Sequence, residues 1–183
     1  MKNVLVVLGH SNYANSLSNK TIIDTIKDAP NVTVRNLDDV SENYVFDVEA
    51  EQKAMEAADV IVLQFPFHWY AVPSIMKKWF DDTLLYGWAY GEGGDKLAGK
   101  KLVISFTTGA PETAYVAGAG KGHTAREFLA PITASAALCN LDLAEIIGSY
   151  GMMYIPGFAG DKDEVTAKAK LHAEKLVRLF ESL

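Results

Sequence analysis

One cysteine among 183 residues leaves an internal disulfide without a partner and removes any metal site built from several thiolates. Cys139 has apolar neighbours, so a buried, inert thiol is the expectation rather than a nucleophile. The four histidines, His10, His68, His123 and His172, fall at no ligand spacing, and no glycine-flanked serine of a nucleophile elbow occurs. A metal enzyme or a serine hydrolase is therefore disfavoured. Basic blocks are missing too: 17 Lys and Arg stand against 23 Asp and Glu, a formal net charge of -6. Nucleic acid and anionic membrane surfaces are excluded as partners on that balance. No apolar run approaches the roughly 20 residues that cross a bilayer. The opening run Val4–Leu8 is too short for a secretory core and stops at Gly9-His10-Ser11-Asn12. A cytoplasmic chain is expected, with any membrane contact made through a partner.

What is present is apolar and regularly punctuated. Hydrophobic residues make up 49% of the chain, enough for one sizeable core and a single domain spanning 1–183. Short β-branched runs at 4–8, 32–37, 60–64, 102–106 and 141–147 read as strands. Helical spacing follows each of them: Ile22, Ile23 and Ile26; Ala54, Met55 and Ala58; Ile75, Met76, Trp79 and Phe80; Phe128, Leu129, Ile132 and Ala136; then Val165, Ala169, His172, Leu176 and Phe180. His172 on that last stripe reads as structural. Five alternating strand and helix units predict an α/β fold, a doubly wound five-stranded parallel sheet of order 2-1-3-4-5 with helices on both faces. Pro66 is expected to stop the central ladder, residues 38–48 to be loop, and Pro131 either to kink its helix or to mark the helix start.

In such a sheet the loops after strands one, three and four converge at the carboxyl edge, where ligands settle. The first, His10 to Asn19, is rich in small donors and ends in Ser16-Leu17-Ser18-Asn19 at a helix start, a place suited to an anion such as phosphate. A plain helix cap would account for only one or two of those residues. The second, Pro66-Phe67-His68-Trp69-Tyr70, sets four large rings in a loop and points to a flat ligand. The third, Thr107-Thr108-Gly109-Ala110, is a tight polar turn in which glycine lets backbone approach closely. Residues 86–100 form a long glycine-rich loop with Trp88 and Tyr90, economical as a lid or a subunit contact. The Gly118-Ala-Gly-Lys-Gly122 stretch lacks the spacing of a P-loop and follows no strand, so it is no dinucleotide fingerprint either.

Taken together, His10 with Ser16-Leu-Ser-Asn19, Phe65-Pro-Phe-His-Trp-Tyr-Ala-Val-Pro73 with Lys77 and Trp79, Gly87-Trp-Ala-Tyr-Gly-Glu-Gly-Gly94 with Leu97 and Gly99-Lys100, and Thr107-Thr-Gly109 resemble the flavodoxin-like NAD(P)H:quinone oxidoreductases. The nearest subgroup is the bacterial one that includes the ancillary flavoprotein of glutathione-gated potassium efflux systems and the general stress proteins. Four motifs in the right order cover nearly the whole chain.

The resemblance implies a flavin, FMN in preference to FAD, with His10 and 16–19 around its phosphates, Phe67 to Tyr70 along its rings and Thr107 to Ala110 on its polar edge. It implies that Tyr115, with His123, stabilises charge on the reduced cofactor; Lys121 occupies the position where better-known quinone reductases place the histidine. It implies NAD(P)H as a substrate, hydride passing in ping-pong fashion to a quinone or similar electrophile, and a homodimer in which Trp88 and Tyr90 complete the partner's pocket. Two rival readings accompany it: a regulatory flavoprotein that activates a potassium-efflux transporter, and a one-electron carrier like flavodoxin itself.

Overall fold

The computed structural model describes residues 2–118 and 122–183. Its frame is a five-stranded parallel sheet of β1 (Val4–Leu8), β2 (Val32–Asn36), β5 (Val60–Pro66), β6 (Lys101–Thr107) and β7 (Asp142–Ser149), in the order β2-β1-β5-β6-β7. Counting only these strands, that is the expected 2-1-3-4-5. The register aligns the strand starts, Val4 beside both Val32 and Val60, Val60 beside Lys101, and Lys101 beside Asp142. All five carboxyl ends therefore emerge along one edge.

Central strands buried on both faces are apolar along most of their length: β1 is so at every position, and β5 at every position but Gln64. Alternate residues feed two cores. Val4, Val6, Leu8, Val60, Val62 and Val103 pack against α1 (Leu17–Ile26) and α6 (Lys162–Ser182) through Ile22, Ile26, Ala169 and Leu176. Leu5, Val7, Ile61, Leu63, Phe65, Ile104 and Phe106 face α2 (Val48–Ala57), α3 (Ser74–Thr83) and α5 (Ala130–Leu138). Cys139 lies in this second core, buried as expected, and its burial raises the thiol pKa.

Two local expectations change, and the open alternative at Pro131 resolves to a helix start. Residues 38–48 are not all loop: β3 (Ser41–Glu42) and β4 (Val45–Phe46) form a small antiparallel hairpin turning on Asn43 and Tyr44, both at positive φ. Pro66 does not end the ladder before itself. It is the last residue of β5, and the next amide, Phe67 N–H, still donates to the Thr107 carbonyl at 2.8 Å. The stretch around Pro131 is two helices, α4 (Ala125–Phe128) and α5, with Leu129 between. Thr124 and Glu127 make a reciprocal capping box on α4, while Pro131 sits in the first turn of α5, where its missing N–H costs nothing.

Candidate functional site

At the carboxyl edge a cavity of about 350 Å³ opens between the loops after β1, β5, β6 and β7. Its first wall is the start of α1. Ser16 caps the helix, its Oγ accepting from the Asn19 N–H at 3.3 Å. The N–H groups of Leu17 and Ser18, ahead of that cap bond, have no acceptor in the described chain and sit at the positive end of the helix dipole. No described residue lining the cavity is acidic. The wall is thus a set of donors without a negative charge among them, suited to an anion.

His10 stands beside it. Burial first, and the neighbouring His68 second, push its pKa down to about 4, so the ring is neutral near pH 7. Its Nδ1 accepts the Asn12 N–H at 2.9 Å, which leaves the ring proton on Nε2. Gly9, just before it, touches α3: a Cβ there would lie 2.7 Å from the Cβ of Met76, and only glycine fits.

The ring loop divides. Pro66, Phe67 and His68 line the cavity, and Phe67 stacks on Phe106 with centroids 4.4 Å apart. Trp69 and Tyr70 do not line it. They are the two central residues of a tight turn closed by His68 and Ala71, which exchange backbone bonds of 2.9 and 3.0 Å. Both stand at positive φ, +49° and +65°, a conformation that costs bulky residues on the order of 1 kcal/mol or more each. Tyr70 stacks on Phe128, whereas Trp69 is 94% exposed.

Thr107, Thr108 and Gly109 form the floor. A Cβ on Gly109 would meet Met153 at 3.0 Å. Ala110 is not at positive φ, so alanine costs nothing there, and its carbonyl accepts the Gly151 N–H. Tyr115 is buried beneath the floor, its hydroxyl 2.6 Å from Thr108 Oγ1. His123 is on the surface, its ring edge against Phe128 and its Nδ1 3.8 Å from Glu127. Neither Tyr115 nor His123 lines the cavity, although both abut the Phe128 ring. Lys121 lies outside the described residues.

The fourth wall was not read from sequence: Met152, Met153, Tyr154 and Ile155, from the loop after β7, with Asn15 near the cradle. The signal was available, because the predicted order already placed the fifth strand's loop beside the fourth's. Trp88 and Tyr90 are half-buried against the core, at the amino ends of the strands, where Trp88 Nε1 donates to Glu56 at 2.7 Å. That is the end opposite the cavity. Among the described residues no group of three or more His, Cys, Asp or Glu is placed to hold a metal.

Comparison with known proteins agrees with this fold. A family model described as a flavodoxin-like fold matches residues 2–176. The NAD(P)H oxidoreductase YrkL of Bacillus subtilis is 36% identical over 97% of this chain and 96% of its own. KefF of Salmonella typhi, an ancillary protein of a glutathione-regulated potassium-efflux system, is 32% identical over 95% of each. Among solved structures, general stress protein 14 of Treponema denticola in complex with FMN superposes with a TM-score of 0.86 at 32% identity, covering 97% of this chain and 99% of that one. An NADPH-quinone reductase from P. pentosaceus gives 0.78 at 26%, covering 94% and 96%. The chain belongs to the flavodoxin-like family, in company with its NAD(P)H oxidoreductases.

Proposed function

We propose that the chain is an FMN-dependent NAD(P)H oxidoreductase acting on a quinone or a similar flat electrophile, with nicotinamide and acceptor taking turns at one open face. The observation that carries this is a single cavity with an acid-free donor wall at one end and aromatic and backbone surfaces at the other. FMN needs both, a seat for its phosphate and a flat slot with a polar edge. The residues present fit it: Leu17 N–H, Ser18 N–H and the Ser16 hydroxyl toward the phosphate, Phe67 and His68 beside the rings, and the N–H groups of Gly109 and Ala110, which have no acceptor in the described chain, toward the polar edge. When bound, the flavin supplies two-electron hydride chemistry.

The protein's own part is orientation and charge. Backbone N–H groups aimed at the polar edge favour negative charge there, most strongly where water is excluded. Tyr115 holds the Thr108 side chain in place, and we assign it, with His123 across Phe128, to stabilising that charge. The FMN complex of the Treponema denticola relative and the names of the oxidoreductase relatives support the cofactor and the reaction.

The chain is also proposed to act as a homodimer. Met153 and Ile155 on the cavity wall, and Trp69 and Phe158 on the loops that supply its walls, are exposed apolar side chains. Helix α3 runs from the cavity mouth to the loop bearing Trp88 and Tyr90, so a two-fold axis across it would set each loop over the partner's mouth. A regulatory role on a potassium-efflux transporter rests only on the likeness to KefF and ranks second.

The test is an absorbance titration of flavin-free protein with FMN, followed by anaerobic addition of NADH or NADPH. Saturable FMN binding, bleaching by the nicotinamide and recovery on adding a quinone are expected. Failure to bind FMN would remove the proposal. Capture of a potassium transporter's cytoplasmic domain without quinone reduction would favour the second reading.

A further inference from the structure

Behind the donor wall runs an unbroken chain of buried side chains that crosses three strands. Asn19, Gln64, Ser105 and His172 are each no more than 1% exposed and stand on four different elements, with Asn19 Nδ2 also 3.5 Å from Ser18 Oγ of its own helix. The Gln64 amide donates to Asn19 Oδ1 at 2.9 Å. Ser105 Oγ donates to Gln64 Oε1 at 2.5 Å and lies 2.7 Å from His172 Nε2, while Ser149 Oγ is 2.8 Å from His172 Nδ1. Only Asn19, at one end, reaches the cavity.

With the Gln64 amide oxygen toward Ser105 and its NH2 toward Asn19, the direction of the remaining bonds follows from counting protons. Burial pushes the His172 pKa to about 4, so near neutral pH the ring carries one N–H. The single Ser105 proton is spent on Gln64, so Ser105 must accept from His172 Nε2–H. Nδ1 is then bare and accepts the Ser149 hydroxyl. With its oxygen satisfied by Ser105, Gln64 turns its NH2 to Asn19 Oδ1. That in turn forces the Asn19 NH2 toward the cradle, where it donates to Thr107 Oγ1 at 3.1 Å and Ser16 Oγ at 3.2 Å. Ser16 Oγ already accepts the Asn19 backbone N–H. Both of its accepting positions are filled, and its own hydrogen is left for the cavity. Thr107 Oγ1 accepts this one bond, and its hydrogen too is left for the cavity. Reversed, the chain would keep all its bonds but draw both hydroxyl hydrogens inward and present acceptors.

We infer that Gln64, held by Ser105 and His172, is a positioning residue that turns the Asn19 NH2 onto Ser16 and Thr107, so that their hydroxyl hydrogens face the cavity, and thereby favours a fully ionised phosphate over any group that must itself donate. This rests on the reading of the cavity as a flavin site and assigns its phosphate specificity to residues that never touch the ligand. Buried polar chains of this kind are favourable only when every member is satisfied, and here no buried side-chain polar atom among the described residues lacks a partner.

The experiment compares FMN with riboflavin, which lacks the phosphate, by quenching of flavin fluorescence on flavin-free protein. The unaltered chain is expected to prefer FMN strongly. Gln64→Met is expected to weaken FMN binding by roughly tenfold to hundredfold, the range of hydrogen bonds to a charged group, with riboflavin affinity within about twofold. Should Gln64→Met fail to fold, Ser105→Ala removes only one hydroxyl from the chain and is expected to show the same selective loss at roughly threefold to tenfold. Equal losses for both flavins, or no loss for either, would overturn the assignment to Gln64 while leaving the flavin site standing. An unaltered chain that binds riboflavin as tightly as FMN would overturn the phosphate seat itself, and this inference with it.

Discussion

His172 is 1% exposed, held between two serine hydroxyls, and titrates near 4 rather than near 6.5 because burial, and secondarily Lys175, disfavour its charged form. Between those two values the unfolded chain binds a proton that the folded chain refuses. Stability is therefore complete above pH 6.5 and falls as the pH drops toward 4, by at most about 3 kcal/mol from this residue. His10 acts in the same direction. Urea unfolding at pH 7, 5.5 and 4.5 should show the decline, and His172→Gln should flatten much of it; a pH-independent midpoint would contradict the assignment. The sequence made His172 legible as structural, since it falls on the inner stripe of a helix. It could not show what the ring touches, because Ser105 and Ser149 lie 67 and 23 residues away. Trp69 and Tyr70, expected along the flavin rings, are absent from the cavity lining for a related reason: ring content marks a loop as special, but only backbone φ decides which way the rings face.

Elements were the most legible level. The central strands are doubly buried and almost wholly apolar, the edge strands β2 and β7 only partly buried, and five β-branched runs alternating with helical stripes gave the sheet and its order. The hairpin β3–β4 escaped because two-residue strands carry no periodicity, and its Asn43-Tyr44 turn lacks the usual glycine. Also invisible was the tie that fastens edge strand β2 to the helices. Arg35 on β2 makes an ion pair with Glu51 of α2, a carboxylate 1% exposed, and Trp79 Nε1 of α3 donates to the same carboxylate at 3.0 Å. Arg35→Met strands that buried charge and should cost about 3 kcal/mol; adding Glu51→Gln should recover a large part, because the charge goes with its partner. Chemical denaturation of the three proteins checks this. A double variant no more stable than the single one would mean that Arg35 acts through packing alone.

For the whole molecule, the loops at the two edges of the sheet differ in character. Residues 86–100 read as a loose glycine-rich loop, yet they are knit by backbone bonds such as Lys96 N–H to Trp88 O and Gly99 N–H to Asn140 O, and Lys100 Nζ reaches the carbonyls of Glu56 and Ala58. Glycine there serves turns with positive φ, at Gly87, Gly91, Gly93 and Gly99. The proposed dimer uses this firm segment as the wall it lends. Light scattering should give twice the 20.0 kDa chain mass, and Trp88→Ala should raise the KM for the nicotinamide while FMN affinity holds. A fully active monomer would sink the arrangement. The contact of Gly9 with Met76 has a mechanical consequence. It locks the cradle loop to the first turn of α3, directly after the Trp69-Tyr70 turn, so these two sides of the cavity must travel as one rigid jaw.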